Sequence, residues 1–532
     1  MQGGPGGSGI NYLGRAGDGL SVIVNGDLSA ALDPNAKYFD FISWDPRGVN
    51  NTTPRLNCFN SAASSDIWNL QNEANGIDSN SSAAVSTLWA RAKALAAECS
   101  QNNEILEHMN TAPVIADIVA IIEKHGEWRS KKAESWLESA EGQLGLQSKL
   151  TNPLYSKQAI LERTRWRQGE EKLLYWGFSY GTLIGSTFST LQPHRVGRVI
   201  LDGVVDSTDY YHAGWLSNLQ DTDKIMEHFY EYCSAAGPSK CAMNLGNSTA
   251  TEIKDQVESL IPVLKEDPIA VPGSISHGPE IITYSDMMQM IRVILYSPIK
   301  RFPQMAELLA DLVHGNGSAF AIYKQELHIP SCPLQGCPNP NAEPCVQQTG
   351  WETTGAIMCS DSTDVTNSTK GDFKNMLAEL VGQSKWMGEA WSTIPLQCLH
   401  WKGRAAWTLK GEDVGSETAH PVLLIGNTLD TVTPLRNAIT MSKKFPGSVV
   451  LTQNSDGHCS GSSPSICTAR YVRDYFQTGS VPAPGVVCEV EELPLIGKVD
   501  PEKILFVEDE RLLAAMDELA HVVGAAEFSA PI

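Results

Sequence analysis

Apolar residues along this chain follow two rhythms. Five short runs predict β-strands: "YFDFISWD" (38–45), "KLLYWGF" (172–178), "RVILDGV" (198–204), "PVLLIGN" (421–427) and "SVVLTQN" (448–454). Each closes near Gly, Asn or Asp. Around them lie stretches with helical spacing, among them "YGTLIGSTFSTL", "TDKIMEHFYEYC" and "YSDMMQMIRVILYS". Strands alternating with helices predict a mostly parallel sheet flanked by helices, an α/β fold. From Val205 to about Glu417 no strand of comparable quality occurs, so this block predicts a mostly helical insertion between two sheet strands. The charged run "EKHGEWRSKKAESWLESAEG" predicts a solvated helical excursion, and "EDERLLAAMDELAHVVGAA" predicts one amphipathic helix near the C-terminus. The chain then divides into a first part of the core (1–206), a helical, cysteine-containing cap insertion (207–417), a second part of the core (418–495) and a C-terminal helical tail (496–532).

Chemistry concentrates where the predicted strands end. Gly177-Phe178-Ser179-Tyr180-Gly181 puts one serine between two glycines, with a strand before it and a helix after it. This is the strand–turn–helix setting that a G-x-S-x-G nucleophile requires, and the turn is too tight for larger flanking residues. A serine hydroxyl is a weak nucleophile until a base takes its proton, and the base needs an acid to orient it. Asp430 follows the strand "PVLLIGN" and His458 follows the next strand, so all three candidates sit on loops at one edge of the sheet. Asp456 is a rival acid, but it lies two residues from the histidine and would have to fold back on it. Backbone N–H groups must hold the oxyanion: that of Tyr180, after the nucleophile, and that of Gly4, from the early loop "QGGPGGSG". Gly3 is the second choice there. A phosphate-binding reading of this loop fails, because no Lys-Ser/Thr ending follows it.

Composition narrows the class of partner. A 532-residue chain that is 42% hydrophobic supports a sizeable core, as two domains or as one domain with an insertion. A net charge of −21 argues against a nucleic-acid partner, which needs clustered Lys and Arg. No apolar run is long enough to span a bilayer; the nearest, "VIADIVAII", is short and carries Asp117. The twelve cysteines include neighbours in loop-like sequence: Cys233 with Cys241, Cys332 with Cys337 and Cys345, and Cys459 with Cys467. Pro-rich loops without C-x-x-C pairs favour disulfides over a metal site, and disulfides favour an oxidising compartment. Sequons at Asn50, Asn51, Asn80, Asn247, Asn316 and Asn367 add mild support for secretion as a glycoprotein. "MQGGPGGSG" carries no signal-peptide pattern, however.

Taken together, Gly3-Gly4-Pro5-Gly6-Gly7-Ser8-Gly9, Trp44-Asp45-Pro46-Arg47-Gly48, the Ser179 motif and Leu201-Asp202-Gly203-Val204 resemble the proline iminopeptidase and tripeptidyl aminopeptidase branch of α/β-hydrolases. So does the segment from "PVLLIGNTLDTVTPL" through "GHCSG" to "YFQTGSVPAPGVVCEVEE", a TAP-like C-terminal segment. The resemblance implies an α/β-hydrolase fold, with Ser179, Asp430 and His458 as the triad and the Gly4 and Tyr180 amides as oxyanion donors. It implies a serine hydrolase that releases residues or short peptides from free N-termini, with the helical insertion limiting substrate length. An esterase or lactonase using the same triad is the alternative. Asp45 and Arg47 are expected to be an internal ion pair supporting the site loops. Asp361 and Glu352 are candidates for meeting a substrate ammonium. No metal or organic cofactor is needed. The expected partner is a peptide or small ester, with no nucleic acid and no membrane. In the family a sheet strand precedes the glycine loop, whereas here Met1-Gln2 precede it, so the native chain is expected to begin earlier.

Overall fold

A computed structural model describes residues 3–27, 35–59, 61–101, 104–148, 156–327, 350–502 and 505–525. Its centre is a five-stranded sheet in which every pairing is parallel. In chain order the strands are β1 (Leu173–Phe178), β2 (Val196–Asp202), β3 (Leu423–Leu429), β4 (Val449–Asp456) and β5 (Val487–Glu489), and they lie side by side in that same order. The first four coincide with sequence-predicted runs, and β5 falls in "GVVCEVEE". The fold is that of an α/β-hydrolase.

Alternation along the strands sends neighbouring residues to opposite faces. Leu173, Tyr175, Leu201 and Leu424 join one core with Leu183, Ile184 and Phe188 of the helix α3 (Tyr180–Leu191). Trp176, Phe178, Ile200, Leu423, Ile425 and Leu451 join a second core. There they meet Ala16, Leu20 and Ile23 of α1 (Gly9–Val24), Val472 and Tyr475 of α7 (Ile466–Thr478), and Leu512, Met516 and Leu519 of α8 (Val507–Ala525). The C-terminal helix therefore covers the sheet alongside the helix that follows the glycine loop.

Among the described residues the insertion is mostly helical, as expected, with one small antiparallel hairpin, Ile269–Val271 with Glu280–Ile282. Three of its helices matter for the site: α4 (Thr222–Ala236), α5 (Trp351–Asp361) and α6 (Gly388–Cys398). The charged excursion is also helical; it begins in α2 (Thr111–Glu138).

One expectation is corrected. Residues 38–45 form no strand among the described residues: Phe39 and Phe41 pack on the second core, but their backbone joins no ladder. The apolar alternation was real, yet a strand also needs a neighbour to exchange N–H and C=O bonds with. Of the sequence neighbours Cys459 and Cys467, whose pairing the sequence left open, Cys459 is a buried free thiol and Cys467 is bonded to Cys488. Cys58–Cys99, Cys233–Cys241 and Cys359–Cys398 are the other disulfides among the described residues. Cys332, Cys337 and Cys345 lie outside those residues. No described helix is long and apolar enough to cross a membrane.

Candidate active site

Strand register gathers the candidate residues. Phe178 pairs with Asp202, Asp202 with Ile425, and Leu429 with Asp456, so the strand ends preceding Ser179, Asp430 and His458 form one edge. Ser179 has φ 55° and ψ −125°, a conformation rarely adopted by a residue with a side chain, and it caps the N-terminus of α3. Ser179 N–H donates to the Asp202 carbonyl at 2.9 Å, and Thr182 N–H donates to the Ser179 carbonyl at 2.8 Å. Gly177 is required: a Cβ there would lie 2.5 Å from the Gly181 carbonyl oxygen. The turn thus lifts the hydroxyl out of the sheet edge, as a nucleophile elbow does.

His458 is buried, with Nδ1 facing the Asp430 carboxylate at 2.9 and 3.2 Å. The Asp430 carboxylate also accepts from the amides of Val432 (3.0 Å), Thr433 (2.8 Å) and Cys459 (2.9 Å). Burial alone would raise the Asp430 pKa, but the His458 ring and these donors outweigh it and hold the acid below its ordinary value. The histidine loop is fixed further by the His458 backbone N–H, which donates to the Tyr296 carbonyl at 2.9 Å, and the imidazole by the edge-on Tyr296 ring, centroids 5.2 Å apart. Its other nitrogen, Nε2, is buried and has no hydrogen-bond partner among the described residues, so the serine hydroxyl does not bond to it. Serine and histidine loops nevertheless meet: Cys459 Sγ lies 3.4 Å from the same Asp202 carbonyl that receives the Ser179 amide. Gly203, at φ 67°, makes room for this contact, since a Cβ there would lie 2.4 Å from that sulfur. Asp456, the rival acid, faces away to His228 on α4, at 2.9 and 3.0 Å.

The glycine loop closes the site from the other side. A Cβ on Gly3 would lie 2.8 Å from Ser179 Oγ, so the loop backbone runs against the hydroxyl. Gly4, at φ 121°, is exposed, and among the described residues no hydrogen bond uses its N–H. Tyr180 is the first residue of α3, where an N–H has no partner within the helix.

The support beneath this loop differs from expectation. Asp45 and Arg47 do not pair. Asp45 accepts from Ser8 Oγ (2.6 Å), the Ile10 amide (3.3 Å) and Asn51 (3.1 and 3.2 Å), which ties the glycine loop to its own turn. Arg47 makes a two-pronged pair with Asp117 on α2, both contacts at 2.7 Å. Sequence proximity suggested the wrong partner, because each side chain is already engaged by groups outside the turn's own pair, Asp45 by Ser8, Ile10 and Asn51 and Arg47 by Asp117. The Asn50 sequon is also withdrawn: this asparagine is buried and its amide donates to Ser8 Oγ at 3.3 Å.

Asp361 and Glu352, at opposite ends of α5, have different surroundings. Asp361 is saturated, accepting from the Thr111 amide (2.9 Å), Thr111 Oγ1 (2.6 Å) and Tyr210 O–H (3.0 Å); burial pushes its pKa up to about 6. Glu352 is buried at the start of the helix, its pKa raised by burial against the opposing effect of the Glu352 and Gly350 amides. Among the described residues no cation pairs with it. Asp430, His458 and Cys459 are close enough together to suggest metal ligands. However, the carboxylate is already engaged, and burial, followed by Asp202 and Asp430, pushes the thiol pKa far up, so the sulfur stays protonated. A cavity of about 500 Å³, lined by His228, Glu231, Asp456 and Glu492 among others, opens elsewhere; none of Ser179, Asp430 or His458 lines it.

Comparison with known proteins agrees with this architecture. Residues 384–488 match a family model described as TAP-like protein. Over 496 residues the chain is 24% identical to the tripeptidyl aminopeptidase of Streptomyces lividans, covering 92% of this chain and 76% of that protein. Over 460 residues it is 24% identical to serine protease Hip1 of Mycobacterium tuberculosis, covering 85% of this chain and 74% of that protein. The chain is thus an α/β-hydrolase-fold protein with a TAP-like segment, homologous to these two proteins over most of its length.

Proposed function

We propose that this protein is a serine exopeptidase that releases residues or short peptides from free N-termini through an acyl-enzyme. The observation that carries this reading is the buried Asp430–His458 pair, its Nε2 unpartnered among the described residues, on the same edge as the strained Ser179 turn. His458 Nε2 takes the Ser179 proton as Oγ attacks the scissile carbonyl, and the resulting oxyanion lies between the Gly4 and Tyr180 amides. Collapse expels the amine, which takes the proton from His458. Water then repeats the path on the ester and frees the serine. Asp430 stays ionised and holds the Nδ1–H tautomer.

A free amino terminus needs an anion, and Glu352 suits that role better than Asp361. Among the described residues no cation pairs with its carboxylate, and Thr353 and Thr354, the next residues on α5, lie beside Gly6 of the glycine loop, where a Cβ would stand 3.3 to 3.4 Å from them. A bound ammonium would compensate its burial. The four disulfides and the homologues support action outside the cytoplasm, as a secreted enzyme. The domain division offered here is a core at 1–206 and 418–495, a cap at 207–417, and α8 packed onto the core.

Rates on aminoacyl- and tripeptidyl-naphthylamides, their N-blocked counterparts and simple aryl esters test the reading. The free-amine peptides are expected to be the best substrates. Glu352→Gln is expected to raise KM for them by about tenfold, as lost charge-assisted bonds do, and to leave aryl esters unaffected. Ester turnover without peptide turnover would make the protein an esterase instead.

A further inference from the structure

The cap and the proposed oxyanion hole meet at a buried hydrogen bond. Thr354 Oγ1, in the first turn of α5, donates to the Pro5 carbonyl at 2.7 Å. Pro5 follows the proposed donor Gly4 directly, and both Pro5 and Thr354 are buried. Gly6 is packed just as closely: a Cβ there would lie 3.3 Å from both Thr354 N and Thr354 Oγ1, and 3.4 Å from Thr353 Cγ2. With Gly4 at φ 121° and Gly6 at φ 95°, the loop has little stiffness of its own beyond the Pro5 ring. It is held from outside at two points. Ser8 Oγ on Asp45 fixes the end that leads into α1, and Thr354 fixes the apex.

The helix that supplies Thr354 is itself well anchored. Its last residue, Asp361, takes both hydrogen bonds from Thr111, whose Oγ1 lies 2.7 Å from the Tyr180 hydroxyl. Cys359 ties the same helix to Cys398 on α6. One cap helix therefore braces both residues assigned as oxyanion donors, Gly4 through Pro5 and Tyr180 through Thr111.

We propose that Thr354 is a positioning residue for the hydrolytic reaction: its hydroxyl sets the Pro5 carbonyl and, through the Gly4–Pro5 segment, aims the Gly4 N–H at the developing oxyanion. This rests on Ser179 being the nucleophile. Thr354 touches neither substrate nor reacting atoms, so its effect belongs to the transition state. A rotated donor weakens the bond to the oxyanion while leaving ground-state contacts in place.

The test compares wild type, Thr354→Val and Thr354→Ser in the full chain, on a tripeptidyl-naphthylamide and against a peptidyl trifluoromethyl ketone. That ketone adds to the serine: Oγ bonds the carbonyl carbon, the hydroxyl proton passes to His458, and the carbonyl oxygen becomes an oxyanion in the hole. Thr354→Val is expected to lose kcat by about tenfold with KM within twofold, and to lose ketone affinity by the same factor. Thr354→Ser, which keeps the donor, is expected to restore both. The proposal is overturned if Thr354→Val turns over like wild type, or if kcat falls without a matching loss of ketone affinity. It is equally overturned if Thr354→Ser is as impaired as Thr354→Val. Wild type is first treated with a fluorophosphonate: absence of a Ser179 adduct defeats the serine-hydrolase reading itself, whereas an adduct with unaltered Thr354→Val kinetics defeats only the role of Thr354.

Discussion

Asp430 holds the most informative environment of any single residue. Fully buried carboxylates usually rise in pKa, as Asp202 and Asp361 do, both to about 6 because of burial. Asp430 goes the other way, held down by the His458 ring and by amide donors from Cys459 and Val432. An acid that stays ionised in the core beside a histidine with one free nitrogen is arranged for base catalysis. Asp430→Asn keeps the shape but favours the wrong imidazole tautomer. It is expected to lower kcat by about 10⁴-fold with the fold intact, as judged by circular dichroism. Activity within tenfold of wild type would remove Asp430 from the mechanism. At this scale the sequence was legible for position: Ser179, Asp430 and His458 were placed just past strand ends, and the strands indeed close at Phe178, Leu429 and Asp456. It was illegible where a partner lies far along the chain. Arg47 finds Asp117 seventy positions away, and nothing local in "WDPRG" announces that choice.

Among elements, α4 deserves a test, because it links the cap to the histidine loop. His228 on α4 pairs with Asp456, two residues before His458, and Tyr232 donates to the same carboxylate at 3.1 Å. The hydrogen bond to Asp456, with added attraction from Asp456 and Glu231, raises the His228 pKa above its ordinary value despite partial burial. Stability from this pair is therefore fully present below the unfolded value of about 6.5 and is lost as pH rises through the higher folded value. The histidine side chain is 37% exposed, so solvent screening keeps the effect to roughly 1 kcal/mol or less. His228→Gln is expected to be less stable than wild type at pH 5–6, with the gap closing above pH 8, in urea unfolding monitored across pH. A gap independent of pH would rule out the charge pair. Elements also show where pattern reading stops. Four strands were found because apolar runs, turn residues and alternating helices agreed, whereas 38–45 had the alternation without a neighbour. The insertion's short hairpin was missed because three-residue strands carry too little pattern to register.

At the scale of the molecule, chain segments hundreds of residues apart converge on one sheet edge. The glycine loop arrives from the N-terminal region, Ser179 and its helix from the first half, Asp430 and His458 from the second, and a brace from the helical insertion. The parallel sheet explains the convergence, since every strand delivers its carboxyl end to the same side. This much was readable in advance from strand–helix alternation. The cap's part was not: Thr354 and Asp361 sit among ordinary helical residues, and only packing against Pro5 and Thr111 distinguishes them. The central claim is that the Ser179 hydroxyl is activated by His458. Its most direct measurement is peptide mapping by mass spectrometry after fluorophosphonate treatment of wild type, Ser179→Ala and His458→Ala. The account predicts one adduct, on Ser179, absent from Ser179→Ala and formed at least a hundredfold more slowly in His458→Ala, roughly the range by which a positioned base accelerates reaction. An adduct elsewhere in wild type, or labelling of His458→Ala at the wild-type rate, would contradict it.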